Sequence, residues 1–200
     1  MVANQFRPVV SKLLNPVYER LAKWGVHPNM ITMVGLAMGI IAGWAFASEA
    51  YLVASIAIVL SGILDVLDGG VARVGGYASG EGAFLDSVAD RLGESAIFIG
   101  IVLGFSELTH QLLGLSLLVA SFSISYLRAR GEGLGVELAG IGVMERAERM
   151  TALFVAALLA HFYGANVLVL SLFVIFILVV ITAIHRFVRV YSELKVSTLA

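Results

Sequence analysis

The sequence predicts an all-α integral membrane protein, with six transmembrane helices preceded by an amphipathic interfacial helix. Three observations carry that expectation. The chain is 60% hydrophobic and only 14% charged, where soluble domains carry about 25% charged residues. Its apolar residues come in long runs and not in the stripes of water-facing helices. Its 200 residues hold about six spans at ~20 residues each, with no room for a second soluble domain. One membrane domain over 1–200 is expected, with residues 1–28 as a juxtamembrane helix and linker and 29–200 as the six-helix core. Cysteine is absent, which excludes disulfides and thiolate metal sites.

Residues 4–24 read as the interfacial helix. Val10, Leu13, Leu14, Val17, Leu21 and Trp24 recur at three- and four-residue spacing, with Arg7, Lys12, Arg20 and Lys23 among them. Such a helix lays its bases toward anionic head groups. Gly25 to Asn29 break it at Pro28. The first long apolar run begins near Met30, too late for a secretory signal.

The six spans are expected at 30–47, 51–68, 86–105, 111–129, 148–163 and 166–186. Gly35, Gly39 and Gly43 in the first, and Ala152, Ala156 and Ala160 in the fifth, place small residues on one face, where helix backbones approach closely. The alternate loops near 48–50, 106–110 and 164–165 contain no Lys or Arg. All thirteen bases therefore fall on, or border, the other side, and the positive-inside rule places both termini in the cytoplasm. No feature calls for a nucleic-acid partner.

The chemistry concentrates between the second and third spans. Asp65 and Asp68 are three residues apart, and Asp86 and Asp90 four apart, so each pair shares one helix face. Gly69, Gly70, Gly75, Gly76, Gly80 and Gly82 lie between them and predict a glycine-rich turn that brings the faces together. Four carboxylates at a membrane rim repel one another unless a cation holds them. Oxygen donors without His or Cys point to Mg²⁺, Mn²⁺ or Ca²⁺. Such a site binds a diphosphate well; Arg73 adds a planar cation suited to phosphate, and Gly69 lets the backbone approach a ligand.

The full pattern, Asp65-Val-Leu-Asp68-Gly69-Gly-Val-Ala72-Arg73 followed by Gly82-Ala-Phe-Leu-Asp86-Ser-Val-Ala-Asp90, resembles the signature of the CDP-alcohol phosphotransferases. The resemblance extends over nearly the whole chain, including Pro28-Asn29-Met30-Ile31-Thr32. It implies six membrane helices, a homodimer, a cytoplasm-facing polar cavity and Mg²⁺ as cofactor, with Mn²⁺ the other candidate. It further implies transfer of the lipid phosphate of a CDP-linked lipid (CDP-diacylglycerol or CDP-archaeol) to an alcohol, with release of CMP. On this sequence Asp65, Asp68, Asp86 and Asp90 resemble the metal ligands, and Asp90 also the general base. Asn29, Met30, Ile31, Thr32, Gly69, Arg73 and Ser79 resemble contacts to the CDP-lipid, and Gly82 the position that gives the nucleotide clearance. Asn29 and Thr32 are also residue types that cap a helix N-terminus.

The acceptor is read from arginines. Arg128, Arg130, Arg146, Arg149 and Arg186 gather on the expected cytoplasmic side, which suits a phosphorylated acceptor, because guanidinium binds phosphate through paired hydrogen bonds. The segments 125–132 and 145–149 are similar to those of the inositol-phosphate-using branch, which includes phosphatidylinositol phosphate and archaetidylinositol phosphate synthases. That similarity implies Arg128, Arg146 or Arg149, and Arg186 as acceptor-phosphate contacts, and inositol 1-phosphate as acceptor. The competing reading is that these arginines obey the positive-inside rule or pair with Glu132, Glu145 and Glu148. Glu94, one turn beyond Asp90, reads as a partner of Arg91. Two other functions stay open: transfer to glycerol 3-phosphate, and a divalent-cation transporter using the carboxylates as a transit site.

Overall fold

The computed structural model describes the backbone of residues 2–199 and the side chains of residues 13–195. Among the described residues it forms seven helices and no strand: α1 Val2–Lys23, α2 Pro28–Ala47, α3 Tyr51–Val74, α4 Gly80–Gly104, α5 Leu108–Glu132, α6 Arg146–Tyr163 and α7 Ala165–Leu199. Each apolar run expected as a span lies in its own helix, α2 to α7. Four helices, α2, α3, α5 and α7, are long and apolar enough to cross a membrane. By contrast, α4 carries Asp86, Asp90, Arg91 and Glu94. Helix α6 has 18 residues and begins with Arg146, Glu148 and Arg149.

The expected stripe on α1 divides into two faces. Leu14 and Leu21 join Tyr18, which the spacing argument passed over, in a small core with Ile31 of α2 and Val71 of α3. Leu13, Val17 and Trp24 point outward. The side chains of Arg7, Val10 and Lys12 lie outside the described residues.

Tyr18 also explains where the glycine-rich turn departs from expectation. Helix α3 does not stop at Gly69 but runs through Gly70 to Val74, and the chain reverses over 75–79. Gly70 is a packing position: a Cβ there would overlap the Tyr18 ring. The reversal itself uses Gly76 at φ 71°, a conformation that costs glycine little. Ser79 then caps α4 by accepting from the Gly82 N–H at 3.1 Å, which satisfies one of the free donors of the first turn.

Helices α2 and α4 meet along a glycine seam. A Cβ on Gly39 would come within 2.8 Å of Gly93 Cα, and one on Gly43 or Gly100 would collide with the facing backbone. This approach brings the start of α2 beside the carboxylates of α3 and α4. The larger core holds Phe46, Ile58, Phe98, Leu117, Leu153 and Leu172. The segment 133–145 docks on α7, where Thr182 Oγ1 accepts from the N–H groups of Val143 and Met144 at 3.2 and 3.1 Å. That contact places the start of α6 at the site.

Candidate active site

The last turns of α3 and the first turns of α4 bring Asp65, Asp68 and Asp86 together. One carboxylate oxygen from each lies within 4.8 Å of the other two. Asp68 is buried and accepts a 2.7 Å hydrogen bond from the Thr32 hydroxyl at its Oδ2, so α2 fixes the orientation of an α3 carboxylate. A charge-assisted bond of that length is strong. The sequence offered no signal for it, since the pair is separated by 36 positions.

These residues fit a hard divalent ion. The donor set is all oxygen, as Mg²⁺ and Mn²⁺ prefer. Asp86 Oδ1 is buried without a hydrogen-bond partner, an arrangement that costs free energy unless something binds there.

Asp90 stands one turn from Asp86, outside the three-oxygen group. Its Oδ1 meets Arg146 Nη2 at 2.7 Å, while Arg146 Nη1 meets Asp65 Oδ1 at 3.2 Å. A single guanidinium thus bridges α3 and α4 from the first residue of α6.

Next to the carboxylates lies a cavity of about 290 Å³, bordered by Asn29, Thr32, Gly69, Arg73, Ser79 and Gly82. Six of the eight residues expected at the CDP-lipid therefore share one concavity with Asp65, Asp68 and Asp86. Met30 and Ile31 do not border it. Met30 is exposed, and Ile31 is buried in the Tyr18 core, because adjacent helical positions diverge by about 100°. His27, not Asn29 or Thr32, caps α2, its side chain accepting from the Asn29 N–H. Tyr77 also borders the cavity, and its ring lies 5.2 Å from that of His27; its place in a short polar turn gave no sign of this.

The four arginines expected at the acceptor occupy unlike environments. Arg149 is 1% exposed; its Nε and Nη2 donate to the two oxygens of Glu94 at 2.6 and 2.9 Å, and its Nη1 to Met144 O at 2.9 Å. Arg186, also buried, donates to Ile141 O, Ile124 O and Glu145 Oε1. Arg128 pairs with Glu132 one turn away at 2.9 Å on an exposed face. Arg146 alone of the four reaches the carboxylates. The pairings with Glu132 and Glu145 match the competing sequence reading. Glu94 does meet Arg91, at 3.5 Å, but its closer partner is Arg149. Asp90 with Arg146 and Glu94 with Arg149 form two successive rungs from α4 to α6, a ladder latent in the four- and three-residue spacings.

Comparison with known proteins gives the family. The family model for CDP-alcohol phosphatidyltransferase matches residues 25–184. An archaetidylinositol phosphate synthase of Methanothermobacter thermautotrophicus is 35% identical over 96% of this chain and 95% of its own. A phosphatidylinositol phosphate synthase of Streptomyces avermitilis is 34% identical over 96% of this chain and 84% of its own. Among solved structures, Mycobacterium tuberculosis phosphatidylinositol phosphate synthase with CDP-DAG bound superposes with a TM-score of 0.81 at 26% identity, covering 90% of this chain and 94% of that one. The same enzyme in complex with manganese and citrate gives 0.80, also at 26% identity, covering 88% of each chain. With its carboxylates gathered beside a cavity and a match spanning all of α2 to α6, this chain belongs to the CDP-alcohol phosphatidyltransferase family.

Proposed function

We propose that this protein transfers the phosphatidyl or archaetidyl group of a CDP-linked lipid to inositol 1-phosphate and releases CMP. The observation that carries the reading is the shared concavity: a three-carboxylate group opens onto a cavity bordered by Gly69, Arg73, Ser79 and Gly82. The names of the relatives support the inositol phosphate acceptor and the CDP-lipid donor.

In this reading Asp65, Asp68 and Asp86 hold a divalent ion, Mg²⁺ or Mn²⁺, with Asp90 available to a second. Such an ion, when bound, would neutralise phosphoryl oxygens of the diphosphate. The protein's own groups do the rest. Thr32 holds Asp68 in register. Arg73 meets the diphosphate with a planar donor set. Gly69 and Gly82 leave room for the nucleotide backbone. Asp90 takes the proton of the acceptor hydroxyl; the hydroxyl oxygen bonds to the lipid-side phosphorus as the bond from that phosphorus to the CMP oxygen breaks. CMP leaves with the electron pair.

Arg146 at the site meets the acceptor phosphate, with Arg128 of α5 as a further contact. Arg149 and Arg186, with their donors engaged inside the protein, position α6 and the segment before it. The fold runs as one domain over 1–200, with α2 to α7 as six membrane helices and α1 on the cytoplasmic interface. The protein works as a homodimer in the cell membrane, with both termini cytoplasmic.

The test is CMP release from CDP-diacylglycerol and CDP-archaeol by purified protein with inositol 1-phosphate, free inositol or glycerol 3-phosphate. Lipid product with inositol 1-phosphate is expected. Product with glycerol 3-phosphate alone would replace the acceptor, and Mn²⁺ flux into vesicles without CMP release would replace the enzyme reading.

A further inference from the structure

Arg146 differs from the buried Arg149 and Arg186 in what it leaves undone. Arg149 and Arg186 each engage Nε and both terminal nitrogens with protein oxygens. Arg146 uses its two terminal nitrogens on Asp65 and Asp90, and its buried Nε has no partner. Its side chain is 21% exposed and borders a separate cavity of about 240 Å³ between α3 and α6, so the guanidinium has space to leave the carboxylates. The two carboxylates it holds, Asp65 and Asp90, stand at the three-oxygen group or one turn from it. Asp65 belongs to the three-oxygen group, and Asp65 and Asp90 supply the same-charge neighbours that make that group costly without a counterion.

We propose that Arg146 is an exchangeable internal cation. It neutralises Asp65 and Asp90, gives up their oxygens when divalent ions load, and turns its guanidinium to the phosphate of the acceptor. The physical ground is mutual repulsion. A guanidinium and a divalent ion sharing one carboxylate stand within a few ångströms of each other, and at that range like charges oppose one another strongly. An anionic acceptor relieves the conflict by drawing Arg146 away; a neutral alcohol does not. Metal and anionic acceptor are therefore coupled, each raising the affinity for the other, as linkage requires. Asp90 is released to receive a proton when divalent ions and a phosphorylated acceptor are both bound, which turns one salt bridge into a selectivity device. The acceptor half of this inference rests on the function proposed above; the competition between Arg146 and metal does not.

Mn²⁺ titration calorimetry on the purified full-length protein tests it. Inositol 1-phosphate at saturation is expected to tighten Mn²⁺ binding to the wild type about tenfold, within the usual span of coupling between sites, while free inositol leaves it unchanged. Arg146→Gln is expected to bind Mn²⁺ about tenfold tighter than wild type without any acceptor and to lose the coupling. Arg146→Lys, which keeps the charge, should bind Mn²⁺ like wild type. Arg189→Gln, at an exposed pair with Glu193, serves as a control with unchanged Mn²⁺ affinity. Weaker or equal Mn²⁺ binding by Arg146→Gln would overturn the competition; equal Mn²⁺ affinity in the wild type with inositol 1-phosphate, glycerol 3-phosphate and no acceptor would overturn the coupling. Coupling to glycerol 3-phosphate but not inositol 1-phosphate would preserve the exchange while refuting the acceptor assigned above. The wild-type measurement stands even if a variant fails to fold.

Discussion

The carboxylate side of the site, on α3 and α4, and the arginine side, on α5 to α7, are built on opposite plans. Asp65, Asp68 and Asp86 converge on one point, and Asp86 keeps a buried oxygen without a partner. The arginines diverge: Arg149 and Arg186 are consumed by internal bonds, Arg128 pairs along its own helix, and Arg146 crosses to the acids. Acids brought together by the chain repel, so their clustering asks for a bound cation. Arg149 and Arg186, each with all three nitrogens bonded inside the protein, ask for nothing further. Clustered charge of one sign marks a site more reliably than the same number of charges already neutralised.

The largest expected effect falls on the carboxylate side. Asp86→Asn should reduce CMP release by about a thousandfold or more, the loss of several kcal/mol of charge stabilisation, and abolish Mn²⁺ binding in calorimetry while the melting temperature holds. Wild-type turnover by this variant would remove the convergence from the chemistry.

The next effect lies on the arginine side and is one of stability. Arg149→Ala leaves the buried Glu94 with only the more distant Arg91 at 3.5 Å and should cost about 3 kcal/mol, read as a lowered unfolding midpoint in detergent. The paired variant Glu94→Leu with Arg149→Met should recover most of that loss, since an apolar pair of similar volume often matches a buried ion pair. An unchanged midpoint for Arg149→Ala with lost affinity for inositol 1-phosphate would return Arg149 to the acceptor site and erase the contrast.

A smaller effect tests the seam that sets the carboxylates beside α2. Gly43→Ala forces a methyl against the α4 backbone, and overpacking of this kind costs about 1–3 kcal/mol. The thermal midpoint should fall, and the KM for CDP-lipid should rise as Thr32 shifts from Asp68. Arg128→Gln should be mildest for stability, about 0.5 kcal/mol or less for an exposed pair one turn apart. Its KM for inositol 1-phosphate should rise about tenfold, the loss of one charge-assisted hydrogen bond. No change in KM would leave Arg146 as the only acceptor arginine.

Much of this architecture was legible in the residues. The helices α2 to α7 follow the expected apolar runs, and four of them are long and apolar enough to cross a membrane. The shared face of Asp65 and Asp68 follows from their three-residue spacing, because helical periodicity is a local rule, whereas Asp90, grouped with Asp86 by its four-residue spacing, stands outside the three-oxygen group. The split of the α1 stripe around Tyr18, the continuation of α3 past Gly69 and Gly70, and the bond from Thr32 to Asp68 were not legible. Each depends on which helix packs against which.

What the amino-acid order determined alone is the set of faces: acids on one side of α3 and α4, small residues on one side of α2, arginines at the start of α6. What only the tertiary structure decided is which face meets which, and hence that Arg149 is spent on Glu94 while Arg146, three residues earlier, reaches the acids. Periodicity places a side chain around its own helix axis, but a partner is chosen by interhelical packing over long sequence separations, and no local spacing records that choice.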